Sequence, residues 1–195
     1  MAHTIQDIKK LRDMTGAGMM KAKEALENSD GNMDKAIVYL REHGEASAAK
    51  KSDREARAGL IESYVHGGRI ATMVEINCET DFVAMTDDFK TFARDIAMHV
   101  AASNPEYLNP ASVPTEIADR ERAIYAKESE GKPAEILDKI VDGKLAKYYE
   151  SVCLTSQRFI KDPEVTIDKL TSELIVKLGE NIVIRRYVRF ELGQL

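Results

Sequence analysis

The sequence of 195 residues contains no tryptophan, two cysteines and no excess of positive charge. Each shortage excludes something. Cys78 and Cys153 are too few for the cross-linked scaffold of a small secreted domain, and a chain of this length buries a core without disulfides, so a reducing, cytoplasmic setting is expected. No apolar run approaches the roughly 20 residues that cross a bilayer. The sequence also enters a helical pattern from its first residues, which disfavours a leader or membrane anchor. With 28 Lys+Arg against 33 Asp+Glu, the formal net charge is −5. That is the wrong sign for a general nucleic-acid binder, whose affinity comes from clustered positive charge. Aromatics make up 6% of the chain, so any phenylalanine outside the core has few companions to account for it.

Chemistry-bearing motifs are equally scarce. Gly16–Lys21 reads GAGMMK, but it lacks the third glycine of a dinucleotide fingerprint and the GK[ST] of a phosphate loop, and it follows a helix instead of a strand. His3, His43, His66 and His99 are dispersed and neither cysteine sits in a CxxC, so no metal site is expected. No carboxylate is marked by an apolar setting that would tune it for acid–base work. A Cys–His nucleophilic pair would have to be brought together by the fold. The sequence does not read as an enzyme, and no cofactor is expected. Its basic groups, Lys50-Lys51 with Arg54 and Arg57, and Arg185-Arg186 with Arg189, read as a solvated linker and the outer face of a strand.

Periodicity divides the chain. Ile5, Ile8 and Leu11, then Met20, Ala25 and Leu26, then Met33, Ala36, Ile37 and Leu40 mark three short helices, the third stopping at Gly44. Residues 1–45 form a small docking module, 46–57 a linker and 58–195 an α+β core. In the core, Leu60–Val65 and Ile70–Cys78 read as a hairpin about His66-Gly67-Gly68-Arg69. Thr86 caps a helix with Phe89, Phe92, Ala93, Ile96 and Val100 on its apolar face. Two further helices follow, one entered near Pro114 and one at Pro133, the second burying Ile136, Leu137, Ile140, Val141, Leu145 and Tyr148. A helix with Ile167, Leu170, Leu174 and Leu178 precedes a last strand in which Ile182, Ile184, Arg186, Val188 and Phe190 share a face. The expected architecture is an antiparallel sheet, hairpin plus C-terminal strand, with helices over one face.

Thr80-Asp81-Phe82-Val83-Ala84 stands where the best strand runs into a helix. Two readings are open. Thr80 caps a short turn, Asp81 meets its positive end and Phe82 packs in the core; or the strand and helix form a rigid mount that presents an acid beside an exposed aromatic, which suits a binding wedge. The loop from Thr15 to Met20 is a second candidate. Met19 and Met20 are adjacent and cannot both face one core, so either a Met surface meets a partner or one Met caps the bundle.

The segments KKLRDMTGAGMMKAKEAL, EINCETDFVA, AMHVAASNPEYL, EGKPAEILDKIVDGKL and GENIVIRRYVRFE together resemble the elongation factor Ts family, the nucleotide-exchange factors of elongation factor Tu. They span nearly the whole chain in the family's order. The resemblance implies that the N-terminal helices, similar to ubiquitin-associated domains, dock through Gly16, Gly18, Met19 and Met20 on the partner's GTPase domain. It implies that Asp81 and Phe82, flanked by Thr80 and Val83, form a wedge near the partner's magnesium and phosphate site and promote loss of GDP. His99 matches a family position behind that wedge, where a partner contact and a helix-surface or core-edge histidine are both open. Phe159 and Ile160 fall where longer relatives touch a second partner domain, although Arg158 replaces the usual proline. This chain has material for one core unit, and short members are expected to form homodimers through the sheet. Cys78 or Cys153 lies near that interface or is a buried free thiol.

Two other classes of function remain for comparison. A protein-binding module without exchange activity has no need of the corner at Thr80–Val83. An RNA-binding protein using Arg185, Arg186 and Arg189 requires steeply salt-dependent affinity, against which the acidic total counts.

Overall fold

The computed structural model describes residues 4–131 and 133–194. Its helices are α1 (Ile5–Thr15), α2 (Met19–Asn28), α3 (Met33–Ala49), α4 (Asp81–Ala84), α5 (Asp87–Ser103), α6 (Thr115–Glu128), α7 (Ala134–Val152) and α8 (Ile167–Leu178). Its strands are β1 (Ala58–His66), β2 (Ile70–Cys78), β3 (Arg158–Phe159), β4 (Asp162–Thr166) and β5 (Ile182–Glu191). A three-stranded antiparallel sheet has the order β1-β2-β5, and β3-β4 is a separate hairpin. The fold is α+β, with helical period at the N-terminus giving way to strand period at Ala58. β2 alternates as expected: Thr72, Val74, Ile76 and Cys78 are buried while Met73 between them is exposed.

The chain divides into two compact units, each built from several segments. The first takes the residues up to Glu62 with Glu75–Ala93 and Lys169–Arg185. Here Ile8, Leu11, Ala22, Ala25, Leu26 and Ala36 make one apolar cluster among α1, α2 and α3. Thr4 caps α1 in a reciprocal box with Asp7, and Gly16 ends it in the left-handed conformation at φ 68°. The third helix does not stop at Gly44 but continues to Ala49. Gly44 is buried, and a Cβ on it would stand 3.4 Å from Val176 Cγ2, so this glycine marks a close approach to α8 rather than a helix end.

The second unit takes Ser63–Val74, Arg94–Asp168 and the residues from Arg186 onward. Its interior includes Ile96, Val100, Leu154 and Ile167, and Thr72 Oγ1 donates to Ala97 O at 2.8 Å, tying β2 to α5. Helices α6 and α7 form a hairpin crossed by Arg122–Asp142 and Glu128–Lys144 ion pairs at 2.7 and 2.8 Å. Ile136, expected inside, is exposed. The reason is that α6 buries no residue, and among the described residues of α7 only Val141 and Leu145, further along the helix, are buried.

The last strand departs from its expected alternation. Ile182 and Ile184 are buried, Arg185 and Arg186 are both exposed, and thereafter Tyr187, Arg189 and Glu191 take the more sheltered side. Tyr187 Oη donates to Pro105 O at 3.0 Å, and burial pushes this phenol up to about 12. Arg189 Nε donates to Ala101 O at 3.2 Å, and its guanidinium pairs with Glu191 at 2.7 Å. Arg189 is therefore not on a solvated outer face as expected. Val188 and Phe190 are turned out instead, and Val65, Ala71, Phe190 and Leu192 line one shallow pocket of about 250 Å³.

Candidate functional site

The strand β2 ends at Cys78, and two residues later Thr80 opens the four-residue helix α4. Thr80 has extended backbone, and its Oγ1 accepts from Val83 N–H at 3.5 Å. Asp81 stands in the first turn, where a carboxylate suits the exposed N–H groups. A second cap follows at once: Thr86 Oγ1 accepts from Phe89 N–H at 3.3 Å and donates to Val83 O at 2.7 Å. The local half of the first reading is thus correct, since Thr80 does cap a turn. Its other half is not: Phe82 is 86% exposed, while Ala84 of the same turn is buried. A helix this short has room for one inward side, and Ala84 occupies it.

This corner is fastened from below. Glu180, after α8, accepts from the N–H groups of Glu79 and Thr80 at 3.1 and 3.0 Å and from Thr80 Oγ1 at 2.6 Å. Glu79 returns the bond by accepting from Asn181 N–H at 2.6 Å, and it pairs with Arg54 at 3.5 Å. The Asn181 amide donates to the carbonyls of Ser52 and Arg54 at 3.2 and 2.7 Å. Cys78 Sγ donates to Thr80 O at 3.2 Å; burial, and then the charge of Glu180, pushes its thiol up. Cys153 is also buried and free, with its thiol pushed up to about 11 by burial. Neither thiol has the thiolate character that a nucleophile needs.

Among the residues of the N-terminal loop, Gly16 and Gly18 flank buried Ala17, and Met20 is 76% exposed beside the less exposed Met19. Gly18 leads into α2 with no side-chain cap. Met20 is turned outward, and neither methionine belongs to the apolar cluster of the three helices.

His99, Phe159 and Ile160 do come together, in the second unit. His99 is fully buried and is not a surface contact. A backbone N–H can only donate, so the bond from Ile160 N at 3.4 Å makes His99 Nδ1 the unprotonated nitrogen and leaves Nε2–H to donate to Gln157 Oε1 at 3.0 Å. Gln157 Nε2 in turn donates to Ser151 O at 3.0 Å. Phe159 is buried with its ring 6.1 Å from that of His99, and Ile160 is the exposed member. The β3-β4 hairpin beside Ile160 was not legible in the sequence, because the two residues of β3 have no period and the five of β4 do not alternate in burial.

Burial holds the His99 pKa below the usual 6.5, opposed only by its bond to Gln157. The imidazole stays neutral when folded and takes a proton when unfolded, so stability contributed here is complete above pH 6.5 and is lost as pH falls below it. Between pH 7.5 and 5.5 the loss is expected to reach up to about 1.4 kcal/mol. Urea unfolding at the two pH values checks this, with His99→Leu starting less stable but losing less; equal losses in both proteins would refute it.

Among the described residues there is no group of three or more His, Cys, Asp or Glu placed to hold a metal ion, and no helix long and apolar enough to cross a membrane. Comparison with known proteins gives a consistent result. The sequence model of one family, Elongation factor TS, matches residues 1–194. The chain is 56% identical over 197 residues to elongation factor Ts of Syntrophus aciditrophicus, covering 100% of this chain and 98% of that protein. It is 55% identical over 194 residues to elongation factor Ts of Carboxydothermus hydrogenoformans, covering 98% of this chain and 89% of the relative. Against elongation factor Ts of Thermodesulfovibrio yellowstonii it is 51% identical over 195 residues, covering 100% and 98%. Matches this long, running through the Thr80–Val83 corner and both flanking regions, place the role of the protein in translation elongation, and the chain belongs to the elongation factor Ts family.

Proposed function

We propose that this protein is the guanine nucleotide exchange factor of elongation factor Tu in the cytoplasm, binding the GDP form and promoting GDP release without chemistry of its own. The observation that carries the reading is Phe82, 86% exposed on a doubly capped turn at the end of a buried strand. A rigidly mounted aromatic costs little conformational entropy when it enters a partner's pocket. In this reading Thr80, Asp81, Phe82 and Val83 act near the partner's Mg²⁺ site. Phe82 enters between partner helices and disturbs the groups that hold the ion, which otherwise bridges and neutralises the phosphate oxygens. Gly16, Gly18, Met19 and Met20 of a docking module over 1–45 supply affinity. A connecting segment over 46–57 joins it to a core over 58–195. Ile160 contributes a further contact, with His99 and Phe159 beneath it.

The energetics are reciprocal. If the factor weakens GDP binding by some ratio, GDP weakens factor binding by the same ratio. A new nucleotide therefore displaces the factor, and one molecule serves many partners. The test mixes the protein with elongation factor Tu carrying labelled GDP. Faster release at substoichiometric amounts supports the reading; binding without acceleration would favour a protein-binding module instead.

The reading includes a homodimer. Val65, Met73, Val188, Phe190 and Leu192 are exposed in the second unit, and a second copy of the chain seated on the sheet would cover them. Light scattering at micromolar concentration is expected to give twice the 21.8 kDa chain mass, with Phe190→Asp returning a monomer. A monomeric mass for the unaltered protein would exclude the dimer.

A further inference from the structure

The turn that carries Phe82 is held by one carboxylate 100 positions away, and we propose that Glu180 is a positioning residue of nucleotide exchange, acting through Thr80 to set the direction in which Phe82 projects. The proposal rests on the exchange reading above. Both oxygens of Glu180 are engaged: Oε2 takes the N–H groups of Glu79 and Thr80, and Oε1 takes the Thr80 hydroxyl proton. Because that proton points at Glu180, the lone pairs of Thr80 Oγ1 are left for Val83 N–H, the bond that opens α4.

Remove the acceptor and the hydroxyl is free to rotate, so the cap and the orientation of the turn are lost together. The return bond from Asn181 N–H to Glu79, and the ties from the Asn181 amide to Ser52 O and Arg54 O, keep the base of the clamp in place. Charge-assisted bonds of this length are directional as well as strong. Direction matters more to a wedge than to a docking patch, because small misplacements of a reacting constellation cost rate steeply.

Glu180→Gln keeps the size of the side chain but leaves a single acceptor oxygen for three donors. The maximal rate of stimulated GDP release is expected to fall about tenfold while the half-saturating concentration changes by less than about threefold. Amide hydrogen exchange at Glu79 and Thr80 should rise in the free protein. Phe82→Ala is assayed beside it. If the unaltered protein fails to accelerate release, the exchange reading itself is wrong. If it accelerates release and Phe82→Ala is slow but Glu180→Gln is as fast as the unaltered protein, the clamp proposal is overturned; a loss confined to affinity overturns it too. Should Glu180→Gln not fold, Glu180→Asp is compared with the unaltered protein: its carboxylate is one methylene short of the three donors, so it must lose the rate. Equal rates for the two would refute the proposal.

Discussion

Replacing Phe82 by alanine is expected to lower the maximal rate of stimulated GDP release by about 30-fold, the effect of losing an aromatic anchor worth roughly 2 kcal/mol. The complex itself should weaken by less, because the wedge acts on the nucleotide site while the N-terminal module holds the partner by other contacts. Linkage sharpens the expectation. A factor without its wedge no longer opposes GDP, so the antagonism between GDP and factor binding should shrink together with the rate. Stopped-flow release of a fluorescent GDP at saturating factor measures the first quantity, and titration of the complex with GDP measures the second. Folding offers a clean control: Phe82 is 86% exposed, so its removal should shift unfolding by no more than about 0.5 kcal/mol. An unchanged release rate in a folded variant would remove the wedge from the mechanism.

Gly59→Ala is expected to destabilise the protein by more than about 4 kcal/mol, beyond what ordinary substitutions cost. Gly59 has φ +139°, and a Cβ built there would lie 2.1 Å from Ile76 O and 2.8 Å from Asn77 Cα. Both obstacles are backbone of the central strand β2, which cannot give way without loss of its ladder to β1. Asn77 Nδ2 donates to Ala58 O at 3.2 Å at the same place, so the approach is fixed by bonding as well as by packing. Gly67→Ala is the comparison. Gly67 also has positive φ, +55°, but faces open space, so its cost should stay near the 1–2 kcal/mol, roughly, of a left-handed residue. Urea unfolding separates the two. Similar midpoints for both variants would mean that the crowding at Gly59 is relieved without cost. Because β2 carries the Phe82 turn at its end, a folded remnant of Gly59→Ala should also lose exchange activity.

Much of the frame was legible in the chain itself. The alternation through Thr72, Val74, Ile76 and Cys78, the caps at Thr80 and Thr86, and the turn at Gly67-Gly68 are local rules, satisfied by residues within a few positions of each other. So are the helices, whose bounds fail only where a local sign was ambiguous. Gly44 reads as a stop, yet α3 runs through it at a point where a Cβ would stand 3.4 Å from Val176 Cγ2 of α8.

Other features had no local sign at all. The slip in β5 that turns Val188 and Phe190 outward follows from Tyr187 and Arg189 reaching carbonyls at Pro105 and Ala101. A sheltered His99 depends on Gln157, 58 positions on. The clamp between Glu79-Thr80 and Glu180-Asn181 joins residues that a reading of the sequence passes over as a strand end and a helix stop.

Composition and period alone determined that this is an α+β chain of acidic balance with sparse aromatics, and pattern marked Thr80–Val83 as a corner with two possible faces. Only the tertiary structure decided which of its five phenylalanines leave the core. Phe89, Phe92 and Phe159 are buried, whereas Phe82 and Phe190 are exposed. The physical reason is that period specifies which residues share a face, but burial depends on what packs against that face. Among the described residues little covers Phe82, and Phe190 meets only the rim of a shallow pocket.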